Sequence, residues 1–382
     1  MQIDYLKSLF ENNKEKALFG RYITNNHIES LLKKFNNNFI VETIGYSVLK
    51  KSIYGIKLGT GRKRILMWSQ MHGNESTTTK ALFDLLNSFT HKETGLDYIL
   101  KACTLYIIPI LNPDGAEAYT RVNANEVDLN RDAQNLSQPE SLVLRSIFDS
   151  FQPHYCYNLH GQRTIFSAGK NNKSAIVSFL SPAQDQACTV TPNRKVAMEI
   201  ISVINRALQK VIPSQVGVYD DAFNINCVGD TFQSKNVPTI LFEAGHFYDD
   251  YHREYTRELI YLSYVTSLDY IANNEVDGTH SEAYFDIPEN EKLFLDVIIR
   301  NVSGYSNGLV DIGVQFKETL VNAHLEFIPV VEKIEKLNNI YAHREINAEG
   351  EKVLDENQKH LSIGNENVFV ILKNKKIVLN PK

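Results

Sequence analysis

Apolar positions along this chain gather into short unbroken runs, separated by stretches where they recur at helical spacing. Ile65-Leu66-Met67-Trp68 is the first such run, and a continuous apolar segment of this length reads as a buried strand. After it, Leu82, Leu85, Leu86 and Phe89 fall on one helical face, with Ser76 or Thr77 as the N-cap. The alternation then repeats. Strand-like runs occupy 103–111, 153–161 and 238–246, and helical patterns occupy 138–148, 193–211 and 254–271. Strands alternating with helices predict an α/β fold whose central sheet is mixed, mostly parallel, and flanked by helices.

The two ends of the chain have a different texture. Residues 1–38 read as short helices, with Ile28, Leu31, Leu32 and Phe35 at helical spacing. Residues 39–59 alternate and predict two strands joined near Lys50-Lys51, with a turn at Gly59-Thr60-Gly61. From Asn273 the periodicity fades, and 274–280 reads as a linker. Beyond it, 294–299, 310–314, 325–331 and 368–372 are β-rich and carry no catalytic cluster. The expected organisation is an N-terminal helical segment (1–38) packed on a catalytic domain (39–275), followed by a small β-rich accessory domain (280–382). At 382 residues the chain is long enough for this.

Composition changes little in this picture. The chain is 43% hydrophobic and 22% charged, with a formal charge of −5. Its basic residues are scattered rather than banded, which argues against a nucleic-acid partner. No apolar stretch approaches the ~20 residues that span a bilayer, so no membrane partner is expected. The first residues, Met1-Gln2-Ile3-Asp4-Tyr5-Leu6-Lys7, lack a long apolar core of a signal peptide. Cys103, Cys156, Cys188 and Cys227 are far apart and form no CxxC pair, as expected of reduced thiols in a cytoplasmic protein. Oligomeric state leaves no mark in the pattern.

Three of the predicted strands end on chemistry. His72 stands just past the first run, in Met71-His72-Gly73-Asn74-Glu75. His160 closes the third run, in Asn158-Leu159-His160-Gly161, and Glu243 closes the fourth, in Phe242-Glu243-Ala244. Carboxyl ends of strands are where open α/β sheets place ligand sites. His72 and Glu75, joined through Gly-Asn, can turn onto one point and offer the nitrogen and oxygen donors that zinc prefers. Asn112-Pro113-Asp114-Gly115 is a strong turn signal. A polar loop with Arg121, Asp128, Asn130 and Arg131 follows it.

Taken in order, His72-x-x-Glu75, Asn112-Pro113-Asp114-Gly115, Arg121, Asp128-x-Asn130-Arg131, His160 and Glu243 resemble the zinc carboxypeptidase family. The likeness is to its bacterial cytoplasmic-type members and covers roughly residues 40–272. The resemblance implies one Zn2+ per chain, held by His72, Glu75 and His160 with a fourth position open. It implies Glu243 as general base, Arg121 polarising the scissile carbonyl, and Asn130 with Arg131 binding the substrate's C-terminal carboxylate. Asp128 would accept a hydrogen bond from His72 and fix its tautomer. The family also covers its substrate with a tyrosine, a role that falls to Tyr219. The implied partner is a peptide, or a small peptide-like molecule, with a free C-terminal carboxylate. The chemistry agrees: peptide hydrolysis needs an activated water and a donor for the developing oxyanion, and an exopeptidase also needs a carboxylate anchor.

Two other readings stand beside it. Gly-Asn between the first two ligands also occurs in the related aspartoacylase and succinylglutamate desuccinylase branch, which cleaves small N-acyl amino acids. The Asn112–Gly115 and Asp128–Arg131 motifs favour the peptidase branch. A catalytically dead binding module on the same fold would have lost the base or a ligand, and neither is lost here.

Overall fold

The computed structural model describes residues 1–306 and 308–381. Two helices come first, α1 (Ile3–Asn13) and α2 (Asn25–Phe35). They are followed by β1 (Ile40–Tyr46), β2 (Ser52–Gly59), β3 (Lys63–Ser69), α3 (Thr77–Thr90), α4 (Asp97–Ala102) and β4 (Cys103–Ile108). Then come α5 (Pro113–Ala118), α6 (Pro139–Phe151), β5 (Tyr155–Gly161), β6 (Ser167–Ala168) and β7 (Val177–Leu180). The helical part ends with α7 (Pro192–Leu208), β8 (Val216–Val218), α8 (Val228–Ser234), β9 (Thr239–Ala244) and α9 (Glu254–Asn273). Thereafter all named strands and helical turns but one are β: β10 (Asn290–Glu291), β11 (Phe294–Tyr305), β12 (Gly308–Val321), β13 (His324–Glu335) and β14 (Tyr341–Asn347). Three short strands finish the chain: β15 (Val353–Leu354), β16 (Phe369–Leu372) and β17 (Lys375–Val378).

Eight strands form the main sheet, in the order β1-β2-β4-β3-β5-β9-β7-β8. Its centre, β4-β3-β5-β9, is parallel, while β1, β2 and β7 run antiparallel to their inner neighbours. The sheet is therefore mixed, as the pattern predicts. Alternation along the central strands sorts side chains onto two buried faces. Ile65, Met67, Leu105, Ile107, Tyr157 and Leu159 pack into one core with helices α1, α2, α3, α7 and α9. Leu66, Trp68, Tyr106, Ile108 and Cys156 pack into a second core with α6 and α8. Burial on both faces is why these strands read as unbroken apolar runs.

Strands β11 to β17 form two further sheets, β13-β12-β11-β14 and β15-β16-β17, while β10 pairs with β6. They share a separate core that includes Val297, Ile312, Val314, Val331 and Val370. From this region Phe316 and Glu318 of β12 reach the edge of the main sheet's cleft.

Some local expectations give way to tertiary context. Asn112-Pro113-Asp114-Gly115 opens α5 instead of making an isolated turn: Asn112 caps the helix by accepting from Gly115 N, with Pro113 in the first turn. Ser76 stands at the N-cap of α3, but its hydroxyl donates to Arg21 O and caps nothing. Helix α9 is buried almost all round from Thr256 to Leu268 rather than along a single apolar face.

Candidate metal centre

The register of the central strands sets the site. Ser69, the last residue of β3, pairs with Leu159, and the next residue of β5, His160, pairs with Glu243 of β9. His72 follows β3 by three residues, in the loop that leads to α3. That loop must lie close against the start of α5. A Cβ on Gly73 would come within 1.9 Å of Gly115 C, so only glycine fits at position 73. Asn112 Nδ2 donates to Met71 O, and Gln70 Nε2 donates to Gly73 O and Ile23 O. The two motifs thus rest on one another, backbone to backbone.

At this edge the His72 and His160 Nδ1 atoms lie 3.1 Å apart. Each is 2.9 Å from a Glu75 carboxylate oxygen. Glu75 Oε2 also accepts from Gly161 N at 3.0 Å. On the far side of the His72 ring, Nε2 donates to Asp128 Oδ1 at 3.1 Å. Both histidines are buried, at 2% exposure. Burial opposes a charge on His72, but the Glu75 and Asp128 carboxylates outweigh it and lift the imidazole to about 9. Glu75 and Asp128 are correspondingly held below the usual carboxylate range, against the burial that would raise them, chiefly by His72.

This donor set fits a zinc ion. With Nε2–H committed to Asp128, loss of the Nδ1 proton to an incoming cation would leave a lone pair on Nδ1 turned toward Glu75 and His160. Two facing imidazole nitrogens share at most one proton, whereas a cation uses both lone pairs. Ligands about 2.0–2.1 Å from a tetrahedral zinc stand roughly 3.3 Å apart, close to the separations seen here. His72, Glu75 and His160 are also the one group of potential metal ligands that converges within 4.8 Å among the described residues.

Glu243 stands beside them. Its Oε2 is shielded from solvent and has no hydrogen-bond partner among the described residues. Burial, then repulsion from Glu75, pushes this carboxyl well above its usual range. A half-buried carboxylate with a shielded, unused oxygen, next to a second carboxylate, calls for positive charge or a proton donor opposite.

The remaining candidates fall on two sides of this group. Arg121 is half exposed; its Nε donates to Asp128 Oδ2 at 3.0 Å and its Nη1 lies 3.6 Å from Glu75 Oε1. Asn130 accepts from Val228 N through its side-chain oxygen, which ties the Asp128–Arg131 turn to the start of α8. Arg131 is exposed, donates to Asn130 O, and has no carboxylate within 4 Å among the described residues. Tyr219, just past β8, donates its hydroxyl to Gln162 Oε1 at 2.7 Å and sets its ring edge-on to Phe166. Burial and the nearby Glu243 and Glu75 charges raise its pKa.

Pattern reading missed several residues at this edge. Gln162 and Arg163 stand two and three residues after His160, and nearness to a ligand could have flagged them. Arg21, Arg253 and Glu318 reach the same cleft from far along the chain. No local spacing marks them.

A family model described as zinc carboxypeptidase matches residues 24–226, just over half of the 382 residues. Carboxypeptidase 2 of Trichophyton rubrum is 26% identical over 126 residues, which are 33% of this chain and 23% of that protein. The chain thus spans about a quarter of the length of that curated relative. Among solved structures, a metallo-carboxypeptidase from Burkholderia cenocepacia superposes with a TM-score of 0.50 at 16% identity, covering 65% of this chain and 69% of that one. Bovine thrombin-activatable fibrinolysis inhibitor, solved in complex with tick carboxypeptidase inhibitor, gives 0.50 at 13% identity, covering 66% and 98%. At such identities the two structures speak for a shared fold.

Proposed function

The chain belongs to the zinc carboxypeptidase family, and from that premise we propose that it is a zinc-dependent metallocarboxypeptidase, releasing the C-terminal residue of a peptide by hydrolysis. One observation carries the reading: His72, Glu75 and His160 converge within 4.8 Å, beside a Glu243 oxygen that has no hydrogen-bond partner among the described residues.

In this proposal His72 Nδ1, Glu75 and His160 Nδ1 would hold the ion, and Asp128 would keep His72 in the Nε2–H tautomer. Zinc supplies Lewis acidity when bound, making a water acidic near neutral pH and polarising a carbonyl. Glu243 takes a proton from the attacking water as its oxygen bonds to the scissile carbon. The same carboxyl returns that proton to the leaving nitrogen when the C–N bond breaks, so it ends as it began. Arg121 donates to the carbonyl oxygen as negative charge develops there, a role typically worth about 3–4 kcal/mol of activation free energy. Asn130 and Arg131 hold the substrate's terminal carboxylate, for which the planar guanidinium offers two parallel donors. Tyr219 covers the bound substrate, with Gln162 as its resting partner.

A direct test assays a hippuryl-type peptide beside N-acetylaspartate and N-succinylglutamate. Turnover of the peptide supports the proposal. Turnover of the acyl amino acids alone would replace it with the acylase reading that Gly73-Asn74 also allows.

A further inference from the structure

The cleft that receives the Glu75 side chain continues into a cavity of about 300 Å³. Six charged residues line it: Arg21, Glu75, Arg121, Arg163, Arg253 and Glu318. They come from separate parts of the chain. Arg21 lies between α1 and α2, Arg163 follows β5, Arg253 opens α9, and Glu318 sits on β12. Phe316, two residues before Glu318, adds an apolar wall.

Pairing the charges leaves a remainder. Arg21 binds Glu318 at 2.5 Å, and Tyr119 donates to the same carboxylate at 2.7 Å. Arg121 binds Asp128, and Glu75 faces the two histidines. Arg163 and Arg253 have no carboxylate within 4 Å among the described residues. The two differ in setting. Arg163 is exposed at the cavity wall. Arg253 is 1% exposed, and its terminal nitrogens donate to Ala244 O, Gly245 O and Gln162 O. Its Nε–H is buried and has no acceptor among the described residues. Burial, then repulsion from Arg21, holds the Arg253 pKa down to about 10. Glu318 and Asp250 act on this cation only from a distance, and a buried cation with no carboxylate in contact is costly, so an anion brought to it recovers part of that cost.

The placement says which part of a substrate meets this charge, given the proposed function on which the inference rests. Asn130 and Arg131 hold the leaving residue and do not line the cavity. Glu75 and Arg121, which flank the reacting carbonyl, do line it. The acyl side of the scissile bond therefore points into the cavity. We propose that the cavity selects a second carboxylate, carried by the substrate residue on the acyl side of the scissile bond, with Arg163 contacting it and Arg253 supplying fixed charge beneath. That carboxylate has two possible sources. One is the side chain of an α-linked aspartate or glutamate; the other is the free α-carboxylate of a γ-linked glutamyl residue.

The test compares kcat/KM for four N-acetylated dipeptides that share the leaving residue best released in a hippuryl series. Their acyl-side residues are alanine, glutamine, α-linked glutamate and γ-linked glutamate. The inference predicts that one of the glutamate substrates exceeds the glutamine substrate by about tenfold or more, the scale of a charge-assisted hydrogen bond. Arg163→Ala should collapse that preference, Arg163→Glu should reverse it, and Arg163→Lys should retain part of it. Whichever glutamate linkage wins names the source. Equal turnover of glutamine and both glutamates, or an Arg163→Ala loss of equal size on all four substrates, overturns the inference and leaves the carboxypeptidase reading intact. No turnover of any peptide, with N-acetylaspartate or N-succinylglutamate cleaved, overturns both.

Discussion

Two buried charged clusters share the 72–84 segment of the chain, and they are built to opposite rules. The first joins α3 to α9. Arg257 and Asp84 are both 0% exposed and meet through two 2.6 Å hydrogen bonds. Arg257 also donates to Leu18 O, Glu15 O and Glu254, so each of its five N–H groups has an acceptor. Lys80 donates to Glu254 and His252 O. The second cluster gathers around Glu75, five residues before Lys80. There His160 Nε2 and Glu243 Oε2 are buried with nothing to bond among the described residues. A closed network serves the fold, holding the helix after Glu75 against the helix after Glu243. An open one is where the molecule is prepared for something it does not itself contain.

The sharpest way to break this contrast is to neutralise one member of the open cluster. Glu243→Gln should lower kcat on a hippuryl-type peptide about 10²–10⁴-fold, the usual worth of a general base. Its melting temperature should stay level or rise, because the carboxyl oxygen replaced is one that has no hydrogen-bond partner among the described residues. A clear fall in melting temperature would place Glu243 among the structural groups.

Arg257→Ala should do the reverse. Removing one partner of a buried pair strands the other, so chemical denaturation should show a loss of about 3–5 kcal/mol. The kcat of the molecules that remain folded should change little. Near-wild-type stability would mean the network is not the staple described here.

Arg131→Ala tests an open charge on the other side of the site. KM for a substrate with a free terminal carboxylate should rise about 10–100-fold, the scale of a charge-assisted hydrogen bond. The C-terminal amide of the same substrate, already poor, should be affected much less. Equal losses on both would remove Arg131 from carboxylate recognition.

The smallest effect concerns acid. Burial would raise Glu254, but Lys80 and Lys14 bring it down to about 2 from an ordinary 4.5. A carboxylate with a depressed folded-state pKa stabilises the fold above its unfolded pKa, and that stability is lost as pH falls through the folded value. Between pH 4.5 and 2 the wild type should therefore lose about 1–3 kcal/mol that Glu254→Gln does not lose. Denaturant midpoints across that window check it; parallel curves would deny Glu254 its share in the network.

Much of this was legible in the sequence where burial and local pattern agree. The central strands are apolar without a break because helices cover both faces, and their ends carry His72, His160 and Glu243. The pattern fails where structure depends on distant partners. β7 and β8 are four and three residues long, and each is defined by its neighbours in the sheet rather than by its own alternation. Asn112-Pro113-Asp114-Gly115 suits a turn and a helix start equally well, and packing against Gly73 accompanies the second outcome. The candidate zinc ligands announce themselves by spacing. Arg21, Arg253 and Glu318 enter the cleft through the packing of segments hundreds of residues apart, which no window of sequence displays.

The claim beneath all of this is that the open cluster is a metal cradle. Zinc content per chain, measured after purification and dialysis for the wild type, Glu243→Gln and His160→Ala, tests it most directly. The account predicts one zinc in the first two and little or none in the third. Absence of zinc from the wild type after zinc has been supplied, or an undiminished content in His160→Ala, would contradict it.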